Sequence, residues 1–316
     1  MDIENVACVG AGLIGQSWAT LFASKGCAVN VQDQQEAILT SALTRIRSNL
    51  GFLARNGLLD GADPQEVLQG VTVTTSLVEA VKNVEYVQES VFEEYDVKKA
   101  VFREMDAVAP KDAIFASSSS GLLITEIQRV TTQPDRCLIA HPFNPPHLIP
   151  LVELVPGEQT APDVVQAVSD FMRRIGKAPV VLRREAPGYI ANRLSAALWR
   201  EAIDLVDQGV ASVEDVDKAL RMGPALRWAL MGVHLTYHLG GGPGGIEHFV
   251  DTLGPAFASW WKTMNTWTSI PASAASKVIE GVTNMNVVQT KSREEIVRWR
   301  DEKILEILKV VSGSQP

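Results

Sequence analysis

No stretch of this 316-residue chain stays apolar for the ~18 residues that a membrane-spanning helix needs. Runs of lysine and arginine are also missing, and the formal net charge is −8. Both features argue against a nucleic-acid or anionic-membrane partner. Cysteine is scarce: Cys8, Cys27 and Cys137 lie in strand-like or apolar surroundings and share no CxxC-type spacing. They read as reduced core residues of a cytoplasmic protein. The chain enters a strand pattern almost at once, which leaves no room for a secretory leader. There is no internal repeat and no low-complexity segment. What remains is an ordinary globular composition, 46% hydrophobic and 21% charged, in a chain long enough for two domains.

Residues 1–188 alternate short apolar runs with helical patterns. "NVACVG", "AVNVQD", "VTVTT", "VEYVQES", "AIFASS", "CLIAHP", "LVELVP" and "APVVLRR" have strand length, and amphipathic segments separate most of them. This arrangement predicts βαβ units and a parallel sheet covered on both faces. From about Gly188 only helical periodicity remains, over 190–208, 213–222, several shorter pieces and 293–311. Ser212 with Asp215 makes a capping box before the second of these. The fold class is therefore α/β, with a Rossmann-type doubly wound sheet (1–188) followed by an all-helical C-terminal domain (189–316).

"GAGLIG" sits between the first strand and the first helix and contributes Gly10, Gly12 and Gly15, with Leu13 and Ile14 between them. The first glycine makes the turn, the second lets backbone approach a pyrophosphate, and the third lets helix and strand pack closely. The helix N-terminus receives the negative charge. Asp33 ends the second strand, near the roughly 20-residue spacing expected of the acid that binds the adenosine ribose. Asp33 would repel a 2′-phosphate, and Gln34 and Gln35 offer no cation, so these residues predict NAD rather than NADP.

Two strand ends carry further polar residues. The run Ser117–Ser120 follows "AIFA", and His141 ends "CLIA". In an open α/β sheet, ligands bind beyond the carboxyl ends of the strands. Glu153 lies inside the apolar "LVELV", and a buried carboxylate needs a partner. A carboxylate can hold an imidazole in one tautomer. Histidine, an orienting carboxylate, serine and asparagine are what alcohol oxidation by NAD requires: a base for the hydroxyl proton and donors for the oxygen that becomes a carbonyl.

"VGAGLIGQSWA", "QESVFEE", "FASSSSGL", "AHPFNPP", "LVELVPG" and "APGYIANRL", in this order, resemble the 3-hydroxyacyl-CoA dehydrogenase superfamily. The wording is similar to its lambda-crystallin/L-gulonate 3-dehydrogenase branch in "HPFNPPHLIPLVELVPGEQTAP", "RWALMGVHLTYHL" and "RWRDEKIL". The resemblance implies His141 as general base, Glu153 as its orienter, and Ser120 and Asn192 at the substrate oxygen. It places Asn144, Glu93 and Lys98 on the nicotinamide side of the cofactor. It also implies a homodimer. "SSSS" departs from the family's "SNTS" or "SSTS": it keeps the hydroxyl at Ser120 but puts any contact made by the family's asparagine in doubt at Ser118.

For the substrate, Arg227 in "LRWALMG" reads either as an ion-pair residue or as a clamp on a carboxylate. The clamp suits a free 3-hydroxy acid such as L-gulonate, the leading expectation. Six tryptophans follow residue 188 (Trp199, Trp228, Trp260, Trp261, Trp267 and Trp299). They suit helix packing, a dimer interface, or a cage for a quaternary ammonium. "GGGPGGIEHFVDTLGPAF" resembles L-carnitine dehydrogenases, while Asn192 is kept as in the gulonate and acyl-CoA branches. A short-chain CoA thioester and a non-catalytic, crystallin-like role stay open. His234 and His238 stand four apart, but Leu235 occupies the place of the glutamate in HExxH, so no metal is expected.

Overall fold

The computed structural model describes residues 2–312. The chain falls into two compact units, which divide between Asn192 and Arg193, a few residues beyond the boundary read from the sequence. The first unit is built on eight strands: β1 (Asn5–Val9), β2 (Ala28–Gln32), β3 (Val71–Thr74), β4 (Tyr86–Glu89), β5 (Ile114–Ser117), β6 (Cys137–Pro142), β7 (Leu151–Pro156) and β8 (Ala178–Val181). They form one sheet in the order β3-β2-β1-β4-β5-β6-β7-β8. Strands β4, β5 and β6 are buried at every residue, as expected of central strands with both faces covered. The edge strand β8 is mostly exposed and carries Pro179, where a missing N–H costs little.

Seven helices cover this sheet: α1 (Leu13–Ser24), α2 (Glu36–Arg55), α3 (Pro64–Gln69), α4 (Leu77–Val81), α5 (Tyr95–Val108), α6 (Ile124–Gln128) and α7 (Pro162–Arg174). One set of aromatics stacks Trp18 on Phe22, Phe22 on Phe171, and Phe171 near Tyr86. A second set packs Phe102 edge-on to Phe115, beside Met105 and Ile124. Cys8, Cys27 and Cys137 are all buried and unpaired, and burial pushes the thiols up, that of Cys137 to about 12.

The sheet departs from the all-parallel expectation at one step. β7 runs antiparallel to β6, while every other pair is parallel. The cause is the short segment 143–150 between them. A parallel return needs a crossover of a dozen or more residues, usually a helix, and no helix fits here.

The second unit is helical: α8 (Ala191–Asp207, whose first two residues belong to the first unit), α9 (Val213–Met222), α10 (Pro224–Gly240), α11 (Gly245–Trp261), α12 (Ala272–Thr283), α13 (Asn286–Thr290) and α14 (Arg293–Ser312). Ser212 caps α9 by accepting the Asp215 N–H at 3.1 Å. The capping box is half made, because the Asp215 carboxylate accepts the Ser212 hydroxyl at 2.7 Å. Gly232, at φ 74°, interrupts α10.

The glycine turn shows which of its three glycines the fold itself requires. Gly10 has φ 93°, and a Cβ there would lie 2.7 Å from the Ser90 carbonyl oxygen. A Cβ on Gly15 would lie 1.8 Å from the Gly10 oxygen, whereas one on Gly12 would meet nothing within 4 Å. Gly15→Ala should therefore push α1 off the turn and cost about 1–3 kcal/mol. Thermal unfolding should show a clear drop for Gly15→Ala and little change for Gly12→Ala.

Candidate active site

The nucleotide end of the site begins at α1. Its N-cap is Gly12, with no side-chain cap and no acidic residue in the first turn. No side chain caps the orphan N–H groups of its first turn, an arrangement suited to an anion. Asp33, just beyond β2, accepts the Ala11 N–H at 3.0 Å and the Gln35 N–H at 3.2 Å. These bonds orient its carboxylate beside the glycine turn, where a ribose diol would need an acceptor. Leu13 is exposed at the mouth of the turn, Ile14 is half-buried and Gly15 is buried beneath it. The residues present thus fit NAD.

The second half is the β6–β7 hairpin. His141 and Glu153 are cross-strand partners in register, 5% and 1% exposed. His141 Nδ1 lies 2.8 Å from Glu153 Oε2. The other carboxylate oxygen, Oε1, accepts the N–H groups of Ile190 at 2.9 Å and Ala191 at 3.0 Å. Burial alone would push the Glu153 carboxyl up. The bonds from His141, Ala191 and Ile190 outweigh burial and hold it below its ordinary 4.5. An ionised Glu153 requires the proton on His141 Nδ1 and leaves Nε2 as the basic nitrogen. The rings of Phe143 and Tyr189 each lie 5.3 Å from the imidazole.

The serine run is held by a chain of charges. Glu89, fully buried at the end of β4, accepts from Lys98 Nζ at 2.8 Å, from the Ser117 hydroxyl at 2.6 Å and from the Val91 N–H at 2.6 Å. Lys98 Nζ also lies 3.3 Å from Glu93. Glu93 in turn accepts the Ser119 hydroxyl at 2.7 Å and the Ser120 N–H at 2.6 Å. Lys98 is only 1% exposed, so it reaches the serine run through Glu93. Ser120 is exposed, and among the described residues its hydroxyl has no hydrogen-bond partner. Its carbonyl accepts from Asn192 Nδ2 at 2.9 Å, so one of the two amide N–H bonds of Asn192 holds the loop.

Asn144 is exposed at the tip of the hairpin loop. Arg227 lies exposed on α10, and among the described residues it makes no ion pair. His238 Nδ1 accepts the Ile246 N–H at 3.2 Å, which gives that histidine a structural task at the start of α11. Sequence reasoning missed Glu89, although the rule that singled out Glu153, an ionisable residue inside an apolar strand, applies equally to "VEYVQES". It also missed Ser119. Ser118 turns out to be a hub whose hydroxyl accepts from Gln88 at 2.8 Å and from the Trp18 indole at 3.2 Å, and pairs with the Ser90 hydroxyl at 2.8 Å.

Comparison with known proteins decides the family. Residues 5–186 match the NAD binding domain of 3-hydroxyacyl-CoA dehydrogenase, and residues 188–299 match its C-terminal domain. The chain belongs to the 3-hydroxyacyl-CoA dehydrogenase family. It is 38% identical to an L-carnitine dehydrogenase of Streptomyces coelicolor, covering 100% of this chain and 97% of the relative. It is 37% identical to one of Pseudomonas putida, covering 99% and 96%. Among solved structures, an NAD+-dependent 5-formyl-3-hydroxy-2-methylpyridine 4-carboxylic acid 5-dehydrogenase superposes with a TM-score of 0.82 at 27% identity, over 99% of this chain and 100% of that one. The protein is an NAD-dependent 3-hydroxy acid dehydrogenase, with a Rossmann-type domain followed by a helical domain. Among the described residues, no helix is long and apolar enough to cross a membrane.

The lowered carboxyl makes a pH prediction. With its folded pKa below 4.5, Glu153 contributes stability that is complete above about 4.5 and is lost as pH falls through the folded value. Glu153→Gln should lack this acid-side loss. Urea midpoints of the two proteins across the acid range should draw together as pH falls.

Proposed function

We propose that this dehydrogenase oxidises the 3-hydroxyl of a small free 3-hydroxy acid, with L-carnitine ahead of L-gulonate. The observation that carries the order is the set of L-carnitine dehydrogenases related to the chain at 36–38% identity over nearly its whole length. It reverses the preference for L-gulonate read from the motifs. A free acid rather than a thioester is also favoured by the carboxylic acid named for the structural neighbour at TM-score 0.82. Arg227, exposed and without an ion pair among the described residues, suits a carboxylate clamp.

In this reading His141 Nε2 takes the proton of the 3-hydroxyl. Glu153 holds the imidazole in the required tautomer and stabilises the imidazolium that forms. Bound NAD supplies the acceptor for the hydride that leaves carbon 3. The Ser120 hydroxyl and the remaining amide N–H of Asn192 donate to the oxygen as it becomes a carbonyl. Glu93 and Lys98 fix the backbone of Ser120, and Asn144 would face the nicotinamide side of bound NAD. A homodimer suits the exposed apolar residues of the second unit, among them Leu226, Leu230, Trp260, Trp261 and Trp299.

The test is NADH formation with L-carnitine, L-gulonate, L-3-hydroxybutyrate and 3-hydroxybutyryl-CoA in parallel. L-carnitine should give the highest kcat/KM. Activity confined to the thioester would sink the free-acid reading. His141→Gln should lose about 10²- to 10⁴-fold in kcat while still binding NADH.

A further inference from the structure

Lys177 is a buried ammonium that the chemistry described above does not use. It stands just before β8 and is 6% exposed. Burying an ammonium is costly unless it is paired, yet no carboxylate among the described residues partners it. Its Nζ instead donates to the carbonyl oxygens of Pro146, at 3.0 Å, and Ile149, and sits 5.1 Å from the centre of the Trp18 ring. Burial pushes the amine down from 10.5 to about 7, while the two carbonyls and the indole face favour the charged form.

Both carbonyls belong to the loop between His141 and Glu153. That loop turns through Pro145, whose oxygen accepts the Leu148 and Ile149 N–H groups at 3.0 Å each. It is also tied to α1, where Ser17 Oγ receives the His147 N–H at 3.2 Å and lies 2.6 Å from His147 Nδ1. Loop residue Phe143 packs edge-on to the His141 ring.

We propose that Lys177 is a positioning residue, which gathers the Pro146 and Ile149 carbonyls and thereby keeps Phe143 and the hairpin loop set against His141. The inference rests on the reading of His141 as the base. A cation with no carboxylate is suited to this task because its whole donor capacity goes to main-chain carbonyls. The alternative is a core cation that serves stability alone.

Lys177→Met tests it, with Lys177→Gln alongside because a carboxamide still offers donors if the methionine variant fails to fold. The first readout needs no substrate: the ring proton resonances of His141, assigned with His141→Gln, sense the ring current of Phe143. Lys177→Met should shift and broaden them, and should lower kcat about 10- to 100-fold with a smaller effect on KM. Lys177→Gln should fall between Lys177→Met and the parent protein. A folded Lys177→Met or Lys177→Gln with unmoved His141 resonances and unchanged kcat would overturn the inference, leaving only a stability role. Retained turnover in His141→Gln is a separate result, which would remove the base assignment itself.

Discussion

An imidazole and a carboxylate placed opposite each other on neighbouring strands would be a liability in a buried sheet, since each must lose its water. The cost falls only if every polar atom finds a partner. Glu153 meets that demand with both oxygens. One accepts from His141, and the other accepts from Ile190 and Ala191, which open α8 and whose N–H groups have no intrahelical acceptor. The helix N-terminus adds its positive potential. One side chain therefore joins the hairpin to the segment after it, and removing it would orphan an imidazole and two backbone donors together.

That segment, Gly188–Asn192, ties the site together. Gly188 has φ 75° and Tyr189 has φ 51°, a conformation that a residue with a side chain adopts only when its surroundings hold it. Tyr189 is held by burial and by its hydroxyl, which donates to the Leu122 carbonyl at 2.7 Å. The next residues donate to Glu153, and Asn192 donates to Ser120. The His141–Glu153 pair and the serine loop are thus spaced by five consecutive residues of main chain. The ion chain Glu89–Lys98–Glu93 fixes the serine loop from its other side.

Much of this was legible in the sequence. The strands stood out because they are short apolar runs bounded by turn residues, and "CLIAHP" and "LVELVP" fell at the bounds of β6 and β7. His141 and Glu153 stood out because ionisable groups are rare at such positions. The reversal at β7 was less visible, because strand direction depends on the connection and not on the strand's own residues. The spending of an Asn192 donor on the Ser120 carbonyl and the burial of Lys98 were not visible at all. Both are set by long-range geometry that no local periodicity encodes.

Ser118 joins the serine loop to helix α1 and strand β4. Beside it lies the fully buried Trp18. The small hydroxyl satisfies the indole N–H, the Gln88 amide and Ser90. Trp18 stacks on Phe22 and carries the Lys177 ammonium over its ring, and its neighbour Ser17 holds His147. Helix α1, which begins at the glycine turn, therefore also grips the serine loop through Trp18 and the histidine loop through Ser17 and Lys177. The glycine turn, the serine loop and the loop after His141 are all tied to this one helix, so a displacement of α1 would disturb all three together. This is the mechanical reason for a glycine at position 15: it keeps that helix seated on the turn.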